Sequence, residues 1–168
     1  QFRWGQGELR SLLVTSASPK EGKSFLSANL AAVMASSGKR VVIIDADLRR
    51  PSLHKRFGLG RAQGLVNFIK GEGPLTELAQ RTTIPGVDML AAGPNVNNPS
   101  ELLQADALRM LLNACMESYD LAIIDSPPVN VVSDALVIAS AVDGVVYVVQ
   151  ASKTAKRLVQ TCCDRLRE

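Results

Sequence analysis

Short runs of uninterrupted apolar residues punctuate the chain: Leu12 to Val14, VVII at 41–44, LAII at 121–124 and VVYVV at 145–149. VVII and LAII lack the apolar–polar alternation of a half-exposed sheet, which is the pattern of strands buried on both faces of a parallel one. Between them lie stretches with apolar residues three and four positions apart. Leu26, Leu30 and Val33 mark a helix that stops at Gly38. Leu108, Leu111, Leu112 and Cys115 mark the buried face of a second helix, which the Asn98, Pro99, Glu101 pattern starts. Ser133 caps a third, running through Ala141, and Leu158, Cys162 and Leu166 form the stripe of a last one from about Thr154. Shorter pieces fill in: a helix around Leu65, Phe68 and Ile69 ending at Gly71, another over 74–80, and a strand over 87–90. Buried runs alternating with helices predict an α/β fold, a mostly parallel sheet covered by helices on both sides. With 168 residues and neither repeat nor linker, the chain reads as one domain. Gln1 to Glu8 is a polar lead-in whose Phe2 and Trp4 are expected to pack on the body.

Where the first apolar run ends, the sequence SASPKEGKSFL introduces small residues and then Gly22-Lys23-Ser24 at the mouth of a helix. Strand, small-residue loop and helix in that order form a phosphate-binding loop. Backbone N–H groups from Lys20 to Ser24 wrap a phosphate, Lys23 reaches the β- and γ-oxygens, and the Ser24 hydroxyl ligates Mg²⁺. Gly22 fits because a side chain there would keep the backbone away from the phosphates. The usual loop opens with glycine where this chain has Ala17. The predicted nucleotide loop is therefore Pro19, Lys20, Glu21, Gly22, Lys23, Ser24 and Phe25.

Two further strands end in acids. VVII runs into Asp45-Ala46-Asp47-Leu48-Arg49-Arg50-Pro51, and LAII into Asp125-Ser126-Pro127-Pro128. Carboxylates at the C-terminal ends of buried parallel strands lie where α/β sheets bind ligands. Asp125 is expected to hold Mg²⁺ directly or through water. Arg49, Arg50, Lys55, Arg56 and Arg61 form a basic group that is either a solvated face or a holder of phosphate or an acidic partner. His54, the only histidine, is expected to be solvated or capping.

Composition narrows the picture. Hydrophobic residues at 46% and charged residues at 21% are those of a soluble globular protein, and a net charge of +3 gives no argument for nucleic acid. No apolar stretch approaches a membrane span and no signal-peptide pattern opens the chain, so any membrane link is expected outside it. Cys115, Cys162 and Cys163 lack metal-ligand spacing, which argues against zinc and against an iron–sulfur ATPase. They are expected to be small buried apolar residues.

Together, SASPKEGKS, VVIIDADLRRP and YDLAIIDSPPV resemble the motifs of the bacterial tyrosine kinase family, the cytoplasmic ATP-binding domains of polysaccharide co-polymerases. The resemblance continues through LHKRFGL, GLVNFIKGEG, NPSELLQ and VVSDALVIA. It implies a three-layer P-loop NTPase fold and an ATP-dependent protein-tyrosine autokinase that regulates chain length and export of exopolysaccharide or capsule. It also implies ATP or ADP with Mg²⁺, and a catalytic set of Lys23, Asp45, Asp47 and Arg49. Ser24, Asp45 and Asp125 would serve the metal, Asp45 being the acceptor of the tyrosine proton. Implied partners are a membrane-spanning co-polymerase segment, on the same chain or a separate adaptor, a tyrosine-rich acceptor tail, and further copies in a homo-oligomer. The implied location is the cytoplasmic face of the bacterial inner membrane. Two family features are missing. The chain has only Tyr119 and Tyr147 in place of a tyrosine-rich tail, and it starts after the family's oligomerisation helix. It also ends on a helix where a further strand is expected, so it reads as a trimmed catalytic core. Two rivals share the motifs: a switch ATPase of the kind that positions DNA or the division site, and a nucleotide-gated structural subunit without phosphotransfer. The switch ATPases carry an extra lysine where this chain has Ser18, which counts against the first.

Overall fold

The computed structural model describes residues 3–4 and 7–167. In chain order the elements are β1 (Arg3–Trp4), β2 (Gly7–Glu8), β3 (Ser11–Ser16), α1 (Lys23–Ser36), β4 (Val41–Asp45), α2 (Leu53–Phe57), α3 (Leu65–Ile69) and α4 (Leu75–Leu78). There follow β5 (Gln80–Arg81), β6 (Val87–Leu90), α5 (Pro99–Leu102), α6 (Ala105–Ser118), β7 (Leu121–Asp125), α7 (Asp134–Ala139), β8 (Gly144–Val148) and α8 (Lys156–Arg165). β1 and β2 form a small antiparallel pair. The expected packing of Phe2 and of the Trp4 side chain lies outside the described residues.

The main sheet has the order β5-β6-β4-β7-β3-β8, parallel throughout except for β5. Alternate residues of each central strand enter opposite cores, as a period of two requires. Leu13, Val42, Ile44, Ala122 and Ile124 pack with α3, α4, α6 and α7 through Leu65, Leu75, Leu108, Leu111 and Ile138. Leu12, Val14, Val41, Ile43, Leu121 and Ile123 pack on the other face with Ala31 of α1 and Leu53 and Phe57 of α2. The result is helix, sheet, helix, in three layers. Each fully buried Val, Leu or Ile contributes about 1.5–3 kcal/mol. Losing one of the central isoleucines to alanine therefore removes a large part of an ordinary domain's stability.

The order of strands positions the site. β7 lies between β3 and β4, although it follows both in sequence. The connections after β3 and β4 therefore flank the end of β7, which is the crevice where open α/β sheets take ligands.

Several boundaries differ from the sequence pattern. Leu26 and Val33 are exposed, and α1 buries Lys23, Ser27 and Ala31 instead, with Leu30 and Met34 at the margin. Its first turns face Asp125, which the Ser27 hydroxyl reaches at 3.4 Å, and beyond them the small side chain of Ala31 packs on the apolar face of the sheet. The helix starting at Asn98 is broken: Gln104 is extended (φ −87°, ψ 162°), separating α5 from α6, and Leu103 at the break is buried. Asn98 makes no capping bond to backbone, its amide donating to the Glu101 carboxylate at 2.9 Å. Leu112 is only partly buried. Gln80, expected in a helix, pairs in the antiparallel edge strand β5. Ser133 precedes α7 without a side-chain capping bond, and that helix stops at Ala139. α8 begins at Lys156, two residues later than expected. The five-residue α2 carries no periodic signal long enough to predict, yet it buries Leu53, His54 and Phe57.

Candidate functional site

The loop between β3 and α1 is held by its own side chains. The Ser16 hydroxyl donates to the Ser18 carbonyl at 2.8 Å, and the Ser18 N–H donates to a Glu21 carboxylate oxygen at 2.8 Å. The other Glu21 oxygen accepts from the Thr154 hydroxyl, fastening the loop to the segment ahead of α8. Lys20 (φ 66°) and Gly22 (φ 95°) both take the left-handed backbone conformation. Such turns direct successive N–H groups into one concavity suited to an anion. Gly22 has open space around a notional Cβ, so its requirement here is conformational rather than steric. Ala17 has no left-handed backbone, and its methyl group is fully buried with Val129, Ala135 and Cys162. The absence of glycine at that position therefore costs the loop nothing. Pro19 and Lys20 are exposed, and Phe25 turns outward, with the Arg56 guanidinium 5.9 Å from its ring centroid.

Beneath the loop, two carboxylates stand side by side. Asp45 and Asp125 are register partners at the ends of β4 and β7, both buried. One Asp45 oxygen (Oδ2) accepts from the Ser52 and Leu53 N–H groups at 3.1 and 3.0 Å. Its second oxygen, Oδ1, is buried and has no hydrogen-bond partner among the described residues. Burial, then the charge of Asp125, pushes the Asp45 carboxyl up to about 7. Burial likewise raises Asp125 to about 6, opposed by the Ser24 hydroxyl and the Lys23 ammonium beside it. The Ser27 hydroxyl adds a long contact to Asp125 at 3.4 Å. Lys23 is itself buried, so α1 delivers a cation and two hydroxyls to the same acidic corner.

That corner fits a divalent cation. An orphaned, buried carboxylate oxygen, a second carboxylate and a serine hydroxyl are hard oxygen donors of the kind Mg²⁺ takes. Among the described residues no three His, Cys, Asp or Glu side chains form a protein-only cage.

Asp47 and Arg49 take different positions from each other. The Asp47 carboxylate accepts from the Arg50 N–H at 3.0 Å, closing the turn after β4, and its charge adds to the upward pressure on Asp45 and Asp125. Arg49 reaches to α7, where its Nε donates to buried Asp134 at 3.4 Å. A second Arg49 nitrogen donates to the Ser100 hydroxyl at 2.7 Å, and that hydroxyl donates to Asp134 at 2.6 Å. Asp134, Ser100, Ser27 and Thr154 were not legible as site residues, because each is an ordinary polar residue until the topology brings it in. The arginine network ties the turn after β4 to α5 and α7. Asp134→Ala is expected to lower stability by about 2 kcal/mol, since it strips a half-exposed arginine and a serine of a charged acceptor. Urea denaturation checks this, and an unchanged midpoint would reduce the network to a surface contact.

His54 is buried rather than solvated, its Nδ1 has no hydrogen-bond partner among the described residues, and burial with the nearby Arg61 and Lys55 charges lowers its basicity. Tyr119 is buried and donates to Asp88 at 2.9 Å, while the Tyr147 hydroxyl is buried within the fold. Cys115 and Cys162 are buried as expected and Cys163 partly so; burial pushes the Cys115 thiol up to about 12. No helix among the described residues is long and apolar enough to cross a membrane.

Comparison with known proteins follows the same lines. The AAA domain family model matches residues 20–167. Tyrosine-protein kinase YwqD of Bacillus subtilis is 37% identical over 166 residues, which are 95% of this chain and 70% of that protein. The kinase domain of Escherichia coli tyrosine kinase ETK superposes with a TM-score of 0.90 at 38% identity, over 95% of this chain and 63% of that one. The septum site-determining protein MinD of Pyrococcus horikoshii, complexed with Mg-ADP, shares the P-loop NTPase fold at a TM-score of 0.78 and 19% identity, over 94% of this chain and 65% of that one.

Proposed function

Because the chain belongs to the bacterial tyrosine-protein kinase family, within the AAA domain group, we propose that it transfers the γ-phosphoryl group of ATP to a protein tyrosine. The observation that carries this reading is the pair of buried carboxylates, Asp45 and Asp125, in register beside the phosphate loop. Phosphoryl transfer asks little covalent chemistry of a protein; it asks for positioning and charge neutralisation. The N–H groups of residues 20–24 and the Lys23 ammonium hold the β- and γ-phosphates. Ser24, Asp125 and the free oxygen of Asp45 would hold Mg²⁺. When bound, that ion offsets the charge of the phosphates. Asp45, at the end of β4 beside the phosphates, takes the proton from the incoming tyrosine hydroxyl. Asp47 keeps the turn closed, and Arg49 anchors it through Asp134.

Tyr119 and Tyr147 are held within the fold, so the acceptor is a separate tyrosine-rich segment. On the motif resemblance, the domain works with a membrane-spanning co-polymerase segment at the cytoplasmic face of the inner membrane. There, as a homo-oligomer, it regulates exopolysaccharide or capsule chain length. Incubation with γ-labelled ATP, Mg²⁺ and a tyrosine-containing peptide tests the chemistry. Label is expected on tyrosine. Label released only as free phosphate would replace the kinase reading with a switch ATPase, and nucleotide bound without turnover would leave a structural subunit.

A further inference from the structure

Between Asp47 and Glu72 the chain carries Arg49, Arg50, Lys55, Arg56, Arg61 and Lys70, and not one carboxylate. The structure accounts for two of the five cations nearest the site. Arg49 is bound to Asp134 and Ser100, and Arg61 donates to the Gly93 carbonyl and to Asn95 at 3.1 and 3.0 Å. Arg50, Lys55 and Arg56 are exposed and form no ion pair among the described residues. Three like charges within seven residues repel one another, and nothing in the fold repays that repulsion.

Their placement is not that of an ordinary solvated face. They belong to the turn after β4 and to α2, the segment whose Ser52 and Leu53 N–H groups bind the Asp45 carboxylate. α2 is anchored from below by fully buried Leu53 and by Phe57. Arg56 also lies over the Phe25 ring, at the first turn of the helix that follows the phosphate loop. The cations thus sit on a ledge, anchored by Leu53 and Phe57, whose backbone N–H groups bind Asp45 directly.

We propose that Arg50, Lys55 and Arg56 form an acceptor-docking surface that selects tyrosines flanked by acidic residues. This rests on the kinase reading and deepens it by naming a substrate class. An acidic segment lying across the ledge places its tyrosine hydroxyl towards Asp45, while its carboxylates neutralise the three exposed cations. Such contacts act on capture and orientation more than on the chemical step, so they govern KM and leave kcat largely alone. A phosphate ligand is the weaker fit, because the loop and Lys23 already supply a phosphate site and Arg56 is turned onto Phe25.

The test uses the whole chain loaded with Mg-ADP and a fluorescein-labelled peptide in which the tyrosine, flanked by glutamates, is replaced by phenylalanine. Binding is read by anisotropy and does not depend on catalysis. The acidic peptide is expected to bind about tenfold more tightly than a serine-flanked control, and to weaken as salt rises from about 50 to 300 mM. Arg50→Gln/Lys55→Gln, which leaves the Arg56–Phe25 contact in place, is expected to abolish that preference, as is the triple variant with Arg56→Gln. Nucleotide affinity and thermal stability are expected to stay at wild-type values. In turnover with the tyrosine peptides, KM for the acidic one rises about tenfold in the variants and KM for the neutral one does not. Equal binding of both peptides by wild type, or a preference that survives in the variants, overturns the proposal. Preferential binding of the acidic peptide without transfer to either tyrosine peptide would overturn the kinase reading and leave the docking surface standing.

Discussion

Replacing Lys23 by methionine is expected to weaken Mg-ADP binding by a factor of about 10² to 10³, the loss typical when one member of a buried charge pair is truncated. Methionine keeps the length and most of the bulk of the stem, so the packing of the first turn of α1 survives and the change isolates the ammonium. That ammonium is buried at the mouth of the phosphate loop and acts on Asp125, whose carboxyl it helps to hold down against desolvation. Its removal therefore has two consequences. The nucleotide loses its main positive partner within the loop, and Asp125 loses a compensating charge just where it is needed ionised. Calorimetric titration with Mg-ADP measures the first, with a thermal melt to show that the variant is folded. Equal affinity for wild type and variant would remove the loop from nucleotide binding altogether.

The sheet and its site differ in how readily the sequence discloses them. VVII and LAII are strands because both their faces are buried, and burial alone writes an unbroken apolar run. The acids that end them break that logic, since both are buried, and a buried carboxylate at the end of a strand marks a site rather than a surface. What the sequence hides is proximity. Asp45 and Asp125 are eighty positions apart and become neighbours only because β7 inserts between β3 and β4. The Arg49–Ser100–Asp134 network hides for the same reason, being assembled from three separate connections. α1 misleads more directly. Its leucines suggested the buried face, yet Lys23, Ser27 and Ala31 are buried, because the first turns meet Asp125 at the end of β7 and only further along does Ala31 pack on the apolar sheet. Hydrophobic periodicity assumes an apolar partner, and at a ligand site that assumption fails. α2 fails for another reason: five residues are too few to show a period, and its histidine looked like a surface residue until Leu53 and Phe57 drew the segment inward.

Asp45→Asn carries the largest kinetic expectation and, with it, an opposite effect on stability. As the acceptor of the tyrosine proton, Asp45 contributes a factor of about 10² to 10⁴ to transfer, and the amide cannot replace it. The substitution is nearly isosteric, and its carbonyl oxygen can still accept from the Ser52 and Leu53 N–H groups. The fold is therefore retained. In protein free of nucleotide and metal, the wild-type carboxyl is raised from an ordinary 3.8 to about 7, so the folded state binds its proton more tightly than the unfolded state does. Stability contributed by the protonated form is then present at low pH and is lost as pH climbs from about 4 to about 7. Above that window the full cost of a buried, partly unpartnered charge beside Asp125 remains, on the order of a few kcal/mol. Asparagine carries no such charge. At pH 8 without ligands, Asp45→Asn should melt higher than wild type and show a shallower dependence on pH, part of which persists through Asp125. Transfer to a tyrosine peptide at saturating Mg-ATP, measured beside these melting curves, decides the assignment. Full activity would remove Asp45 from proton transfer, and a variant that melts lower than wild type at pH 8 would mean that its carboxylate stabilises the apo fold. Reduced activity in a more stable protein is the signature of a group kept at a cost to stability for its chemistry.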